Sequence, residues 1–174
     1  MRRAFLRRGD EVNMAGQVKP LREGSHSITP HLIVNDGKQA VAFYQNAFGA
    51  TVLGAHYTPE GRLMHAELKI GDSMVMVADE FPGMSEPSPK SLGGTTVVIN
   101  LYSDNIDALF DKAVKAGAMV TMPLANQFWG DRYGQVKDPF GHKWALGQHI
   151  EDVTPEEMER RSKEVFAQMA GSKQ

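Results

Sequence analysis

The chain has 174 residues, enough for one compact domain or two small, closely packed modules. Its 41% hydrophobic and 23% charged residues are ordinary for a globular protein, and a net charge of -2 gives no basic excess for nucleic acid or an anionic membrane. Cysteine is absent, which excludes disulfides, zinc–thiolate sites and cysteine nucleophiles and fits a cytoplasmic setting, and no apolar run reaches the ~20 residues of a membrane span.

Arg2, Arg3, Arg7 and Arg8 surround Ala4-Phe5-Leu6 at the N-terminus. The apolar part is too short for a secretory signal, and acidic residues follow at once. An extended, disordered tail is expected here, with Met14 as an alternative start. Ser27 to Val34 reads as a strand, and Pro30 inside it requires an edge or a bulge. Asp36 suits a helix N-cap. Ala40, Val41, Phe43, Tyr44, Ala47 and Phe48 then recur at helical spacing up to Gly49. Strands follow over 51–57, 62–70 and 74–78, separated by turns at Pro59-Glu60-Gly61 and Gly71-Asp72-Ser73. In the middle strand Met64, Ala66, Leu68 and Ile70 share one face, and His65, Glu67 and Lys69 share the other.

Asp79 to Gly94 is rich in Pro, Gly and Ser, with Met84 at its tip, and reads as a lid or a connection between halves. Thr95 to Tyr102 is again a strand. Asp104 is placed to cap a helix through Ile106, Leu109, Phe110, Ala113 and Val114 that ends at Gly117. Asp36 and Asp104, Ala40 and Ala108, and Gly49-Ala50 and Gly117-Ala118 all match at one constant spacing. The order of elements repeats as well, so a duplicated βαβββ unit is expected. Thr154-Pro155-Glu156-Glu157 is a capping box, and Met158, Arg161, Val165 and Met169 trace a helical stripe after it. The chain therefore divides into a tail (1–26), a first module (27–80), a loop (81–94), a second module (95–150) and a C-terminal helix (151–174).

The second module closes with Trp129-Gly130-Asp131-Arg132, then Val136-Lys137-Asp138-Pro139-Phe140-Gly141-His142-Lys143-Trp144. Pro139 presets a turn, Gly141 can take positive φ, and Asp138 can accept hydrogen bonds from the turn amides. This stretch resembles the last βββ unit of the glyoxalase / bleomycin-resistance / dioxygenase superfamily, the vicinal oxygen chelate fold, and within it the PhnB-like branch. The resemblance runs from about Ile28 to Arg161. It implies an α+β fold in which two βαβββ modules pair their sheets into an open, curved barrel around a cavity. It also implies a homodimer, for which the C-terminal helix supplies a surface.

Metal-using members of that superfamily carry one ligand on the first strand and one on the last strand of each module. Those positions fall here on Thr29, Val98 and Ala145, with the remaining one near Val75 or Met76. None is a credible ligand for a hydrolytic or redox metal, so no metal or other cofactor is expected. His31 and Asn100 share a strand face with Thr29 and Val98, and His149 lies beyond Ala145.

His65 and Glu67 are the candidate catalytic pair, as base and orienter, set against a plain solvated face. The candidate ligand-binding set is His31, His65, Glu67, Asn100, Trp129, Arg132 and Tyr133. Aromatics with an arginine suit a planar or anionic molecule; they equally suit a plug in the open barrel, with Arg132 paired to Asp131 or Asp138. The expected function is capture of a small molecule in the cavity without the usual divalent ion. The alternative is a lyase, isomerase or oxygenase with a displaced site around His65 and Glu67.

Overall fold

The structure is a computed structural model that describes residue 20 and residues 24–171. The tail expected over 1–26 lies outside the described residues, apart from 20 and 24–26. Strand β1 (His31–Val34), helix α1 (Gly37–Phe48) and strands β2 (Thr51–Tyr57), β3 (Leu63–Ile70) and β4 (Ser73–Asp79) form the first module. A short helix α2 (Pro89–Leu92) follows. The second module comprises β5 (Val98–Tyr102), α3 (Ile106–Lys115), β6 (Met119–Asn126), β7 (Asp131–Lys137) and β8 (Lys143–His149), and α4 (Pro155–Gly171) follows it. The sheet orders are β1-β4-β3-β2 and β5-β8-β7-β6. In each, the first strand is parallel to its neighbour and the remaining pairs are antiparallel. The fold is the α+β arrangement of two βαβββ modules with open sheets.

Each sheet buries one face against its helix and leaves the other open. Helix α1 starts where Asp36 accepts from the Gln39 amide at 3.0 Å. Its buried stripe is Ala40, Val41, Phe43, Tyr44, Ala47 and Phe48. Gly37 opens the helix against Leu63, whose side chain would lie 2.4 Å from any added Cβ. Asp79, at the end of β4, then fixes this junction by accepting from the Gly37 and Leu63 amides, both at 2.6 Å. Gln148 does the corresponding work in the second module, accepting from the Ile106 amide at 3.2 Å.

Several boundaries differ from the sequence expectation. The cap of α3 is Asn105 and not Asp104; its side chain accepts from the Ala108 amide, so the second helix begins one residue late relative to the repeat. Strand β1 is shorter than 27–34, because Pro30 has no amide to offer a ladder. The 81–94 loop contains α2, capped by the buried Ser88. Met64 is 58% exposed and does not share the buried face of Ala66, Leu68 and Ile70. The pairing of β2 with β3 shifts register between His56 and Tyr57, and the extra residue on β3 turns Met64 outward. The capping box of α4 is half made: Thr154 accepts from the Glu157 amide at 3.3 Å, but the Glu157 carboxylate goes to Arg160 and Arg161.

The modules share a core. Helices α1 and α3 pack on each other, and Trp144 of β8 lies 4.5 Å from Phe48 and 5.6 Å from Tyr44 of α1, ring centre to ring centre. The Asp138 carboxylate, only 3% exposed, sits beneath them. It accepts from the Tyr44 hydroxyl at 2.8 Å, from Trp144 Nε1 at 3.0 Å and from the Phe140 and His142 amides at 2.9 Å. Burial, and then the neighbouring Asp138, push the Tyr44 hydroxyl well above its ordinary pKa, so it stays a donor.

Tyr44→Phe removes one donor from a buried charge and is expected to cost about 1.5–3 kcal/mol in urea denaturation. Asp138→Asn puts an NH2 among donors and is expected to cost about 3 kcal/mol or more. A change below about 0.5 kcal/mol for both would contradict this role for the turn.

Candidate functional site

The open face of the first sheet carries the ionisable candidates. On β3, His65, Glu67 and Lys69 point away from the core; Glu67 pairs with Met76 of β4, and Met76 with His31 of β1. Register therefore brings His31 of β1 toward His65 and Glu67 of β3. The His31 and His65 rings meet edge to face at 5.7 Å, and His65 Nε2 lies 3.9 Å from Glu67 Oε1. Thr29, Leu53, His65, Glu67, Met74 and Met76 line a hollow of about 680 Å³. Burial first, and then the nearby His65, hold His31 below its ordinary pKa of 6.5.

The corresponding places on the second sheet hold neutral amides. Ala145 pairs with Asn100 as Met76 pairs with His31, and Gln135 pairs with Ala145 as Glu67 pairs with Met76. Asn100 also borders His31 across a hollow of about 530 Å³ between the edges of β1 and β5.

The aromatic candidates gather at the far end of the second sheet. Trp129 lies edge-on to Tyr133 at 5.6 Å and to Phe128 at 5.1 Å. Gly130 makes the turn between Trp129 and β7: it has φ 93°, and an added Cβ would lie 2.2 Å from the Glu151 carbonyl oxygen. Asp131, 7% exposed, then accepts from the Tyr102 hydroxyl at 2.9 Å and from Trp129 Nε1 at 3.2 Å. Its other oxygen lies 3.1 Å from His149 Nδ1, and His149 Nε2 lies 2.9 Å from the fully exposed Asp152. Hydrogen bonds to Asp152 and then Asp131 raise the His149 pKa above 6.5. The hydrogen bond to Asp131, followed by burial, raises that of Tyr102.

Arg132 does not join this group. It pairs across the ladder with Gln148, on the helix side, and its guanidinium grips Asp107 of α3 at 2.7 and 2.5 Å. It is bound to neither Asp131 nor Asp138, the partners considered from sequence. The sequence reading also passed over Tyr102 and Asp131 as site residues. A signal for Asp131 existed: counting outward from the Asp138–Gly141 turn puts it opposite His149.

The fourth of the superfamily's metal positions is Met76, since Val75 is only 4% exposed and points into the core. Thr29, Met76, Val98 and Ala145 supply no carboxylate and no imidazole, so these residues do not fit the superfamily's divalent ion. Among the described residues, no three His, Cys, Asp or Glu side chains gather as a metal site. No described helix is long and apolar enough to cross a membrane.

The two histidines differ in the sign of their contribution to stability with pH. The raised His149 pKa favours its charged form in the fold; that stability is fully present below the unfolded value near 6.5 and is lost as pH rises through the higher folded value. His31 has the opposite sign: as pH falls below 6.5 the unfolded chain takes up its proton more readily, and stability falls. Imidazole signals followed by NMR are therefore expected to titrate above 6.5 for His149 and below 6.5 for His31. The reverse order would contradict the geometry.

Rv0887c of Mycobacterium tuberculosis is 44% identical over 160 residues, covering 90% of this chain and 89% of that protein. The crystal structure of TioX from Micromonospora sp. ML1 aligns with a TM-score of 0.58 at 28% identity, over 71% of this chain and 98% of TioX. TnmS3, an antibiotic binding protein from Streptomyces sp. CB03234, aligns with a TM-score of 0.53 at 26% identity, over 72% of this chain and 96% of TnmS3. A family profile matches residues 25–146, and with the paired βαβββ modules this shows that the chain belongs to the Glyoxalase/Bleomycin resistance protein/Dioxygenase superfamily.

Proposed function

We propose that this protein binds a small organic molecule in the hollow of the first sheet and does so without a divalent ion. The observation that carries the reading is the donor set. The positions that would grip a metal are Thr29, Met76, Val98 and Ala145, while His31, His65 and Glu67 converge beside a methionine-lined hollow of about 680 Å³. Methionine side chains adapt to irregular apolar ligands, and His65 and Glu67, which line the hollow, provide orienting polar contacts, with His31 against the His65 ring. The likeness to TnmS3, an antibiotic binding protein, supports the same class of ligand. Asn100 borders His31 from the second module across the neighbouring hollow, while Trp129 and Tyr133 stand apart at the far end of the second sheet. Membership of the PhnB-like branch, a homodimer and a cytoplasmic setting belong to this proposal, as does the division into modules at 27–80 and 95–150.

A second reading is favoured by one observation: His31, His65 and Glu67 put three ionisable groups on one open face, where a bound molecule can exchange a proton with them. On that reading the protein is a lyase, isomerase or oxygenase. Turnover of a bound compound that disappears in His65→Ala would favour it over simple capture.

Calorimetry against a panel of planar and anionic antibiotics tests the first reading. At least one class is expected to bind at micromolar affinity or better. Met76→Trp, which fills the hollow from an exposed sheet face, is expected to weaken that binding at least about tenfold, or ~1.4 kcal/mol. No binding to any class, or full affinity in Met76→Trp, would contradict the reading.

A further inference from the structure

We propose that His149, together with the aromatic side chains around Asp131, forms a binding site for an aromatic carboxylate, in which the ligand's carboxylate takes the place now held by Asp152. The site lies on the second sheet and does not rest on the reading of the first-sheet hollow.

The Asp131 carboxylate is buried and its orientation is fixed. Tyr102 and Trp129 donate to one oxygen and His149 approaches the other, so the imidazole is held with Nε2 directed outward. What that nitrogen meets is a carboxylate, Asp152 at 2.9 Å. Asp152 is fully exposed and sits on the short segment between β8 and α4. An exposed ion pair of this kind is worth little, because water screens it and the segment loses freedom to make it. The Asp131 side of the arrangement is buried and belongs to the sheet; the Asp152 side is the exposed, exchangeable anion. The molecule thus displays the ligand chemistry that His149 accepts.

The surroundings add an aromatic preference. Tyr102 is 60% exposed, and Trp129 and Tyr133 stand edge to face beside it as a half-buried wall. A ring attached to the carboxylate can pack there, which Asp152 cannot do. The charged and titratable groups facing His149 are Asp131 from β7, Asp152 from its own segment and, through Asp131, Tyr102 from β5. The Lys137 and Lys143 pair lies at the opposite end of β7 and β8 and is not needed.

The test is an NMR titration with 2-naphthoate, read at the His149 imidazole and, in every variant, at the Trp129 indole N–H, using 2-naphthamide as the uncharged control. Asp152→Asn removes the internal competitor from an exposed position and is expected to tighten naphthoate binding about threefold, the size of an exposed ion pair. Naphthamide binding should be the same in both proteins. His149→Gln keeps a donor toward Asp131 and so protects the fold, but is expected to weaken naphthoate binding about tenfold or more. The proposal is overturned if millimolar naphthoate leaves the His149 signals unmoved, if naphthamide binds as well as naphthoate, or if either variant binds naphthoate as the parent protein does.

Discussion

One buried carboxylate joins the halves of this molecule. Asp138 sits in the β7–β8 turn of the second module, yet accepts from Tyr44 on the helix of the first. A charge at 3% exposure is tolerable only when its oxygens are fully engaged, and here two ring donors and two turn amides engage them. Because Tyr44, Phe48 and Trp144 pack around the same point, the polar contact fixes which way an otherwise greasy interface docks. With α1 and α3 locked together on the buried side, the open faces of the two sheets are held in a fixed relation. The hollows along β1, β3, β4 and β5 inherit their shape from that constraint.

Duplication supplied two equivalent faces, and their chemistry has separated. The inner work stayed the same in both: Asp79 and Gln148 each accept from the first amide of a helix. The outer positions did not. His31 and Glu67 on the first sheet stand where Asn100 and Gln135 stand on the second. The amides keep the shape and the hydrogen bonds but carry no charge, so only the first face can change protonation at those places. The second sheet has its ionic group elsewhere, at the Asp131–His149 end, fixed by Tyr102 and Trp129. Two apolar-and-polar surfaces of different character are thus offered by one repeat.

Much of the fold was legible in the residues. The apolar spacing from Ala40 to Phe48, the Asp36 cap and the Asp138–Gly141 turn each name a local structure with a mechanism, and the repeat ties them into modules. What escaped was set by single residues. Asn105 took the cap from Asp104, and a bulge turned Met64 outward, because neither choice changes the apolar pattern by which it would be read. The site was legible in part for a similar reason. Period-two alternation puts His65 and Glu67 on one face, but only strand register brings His31 to them. Arg132 was read with its aromatic neighbours although alternation sets it on the opposite side from Tyr133, where Asp107 awaits it. Asp131 looked like a turn residue, and its buried role depends on Tyr102 arriving from a distant strand.

Elemental analysis of protein purified without chelators bears most directly on whether the hollow works without an ion. With Thr29, Met76, Val98 and Ala145 at the gripping positions, divalent metal should stay well below one equivalent after loading and desalting. One equivalent of a divalent ion that survives desalting, and that is lost in His65→Ala, would contradict the account.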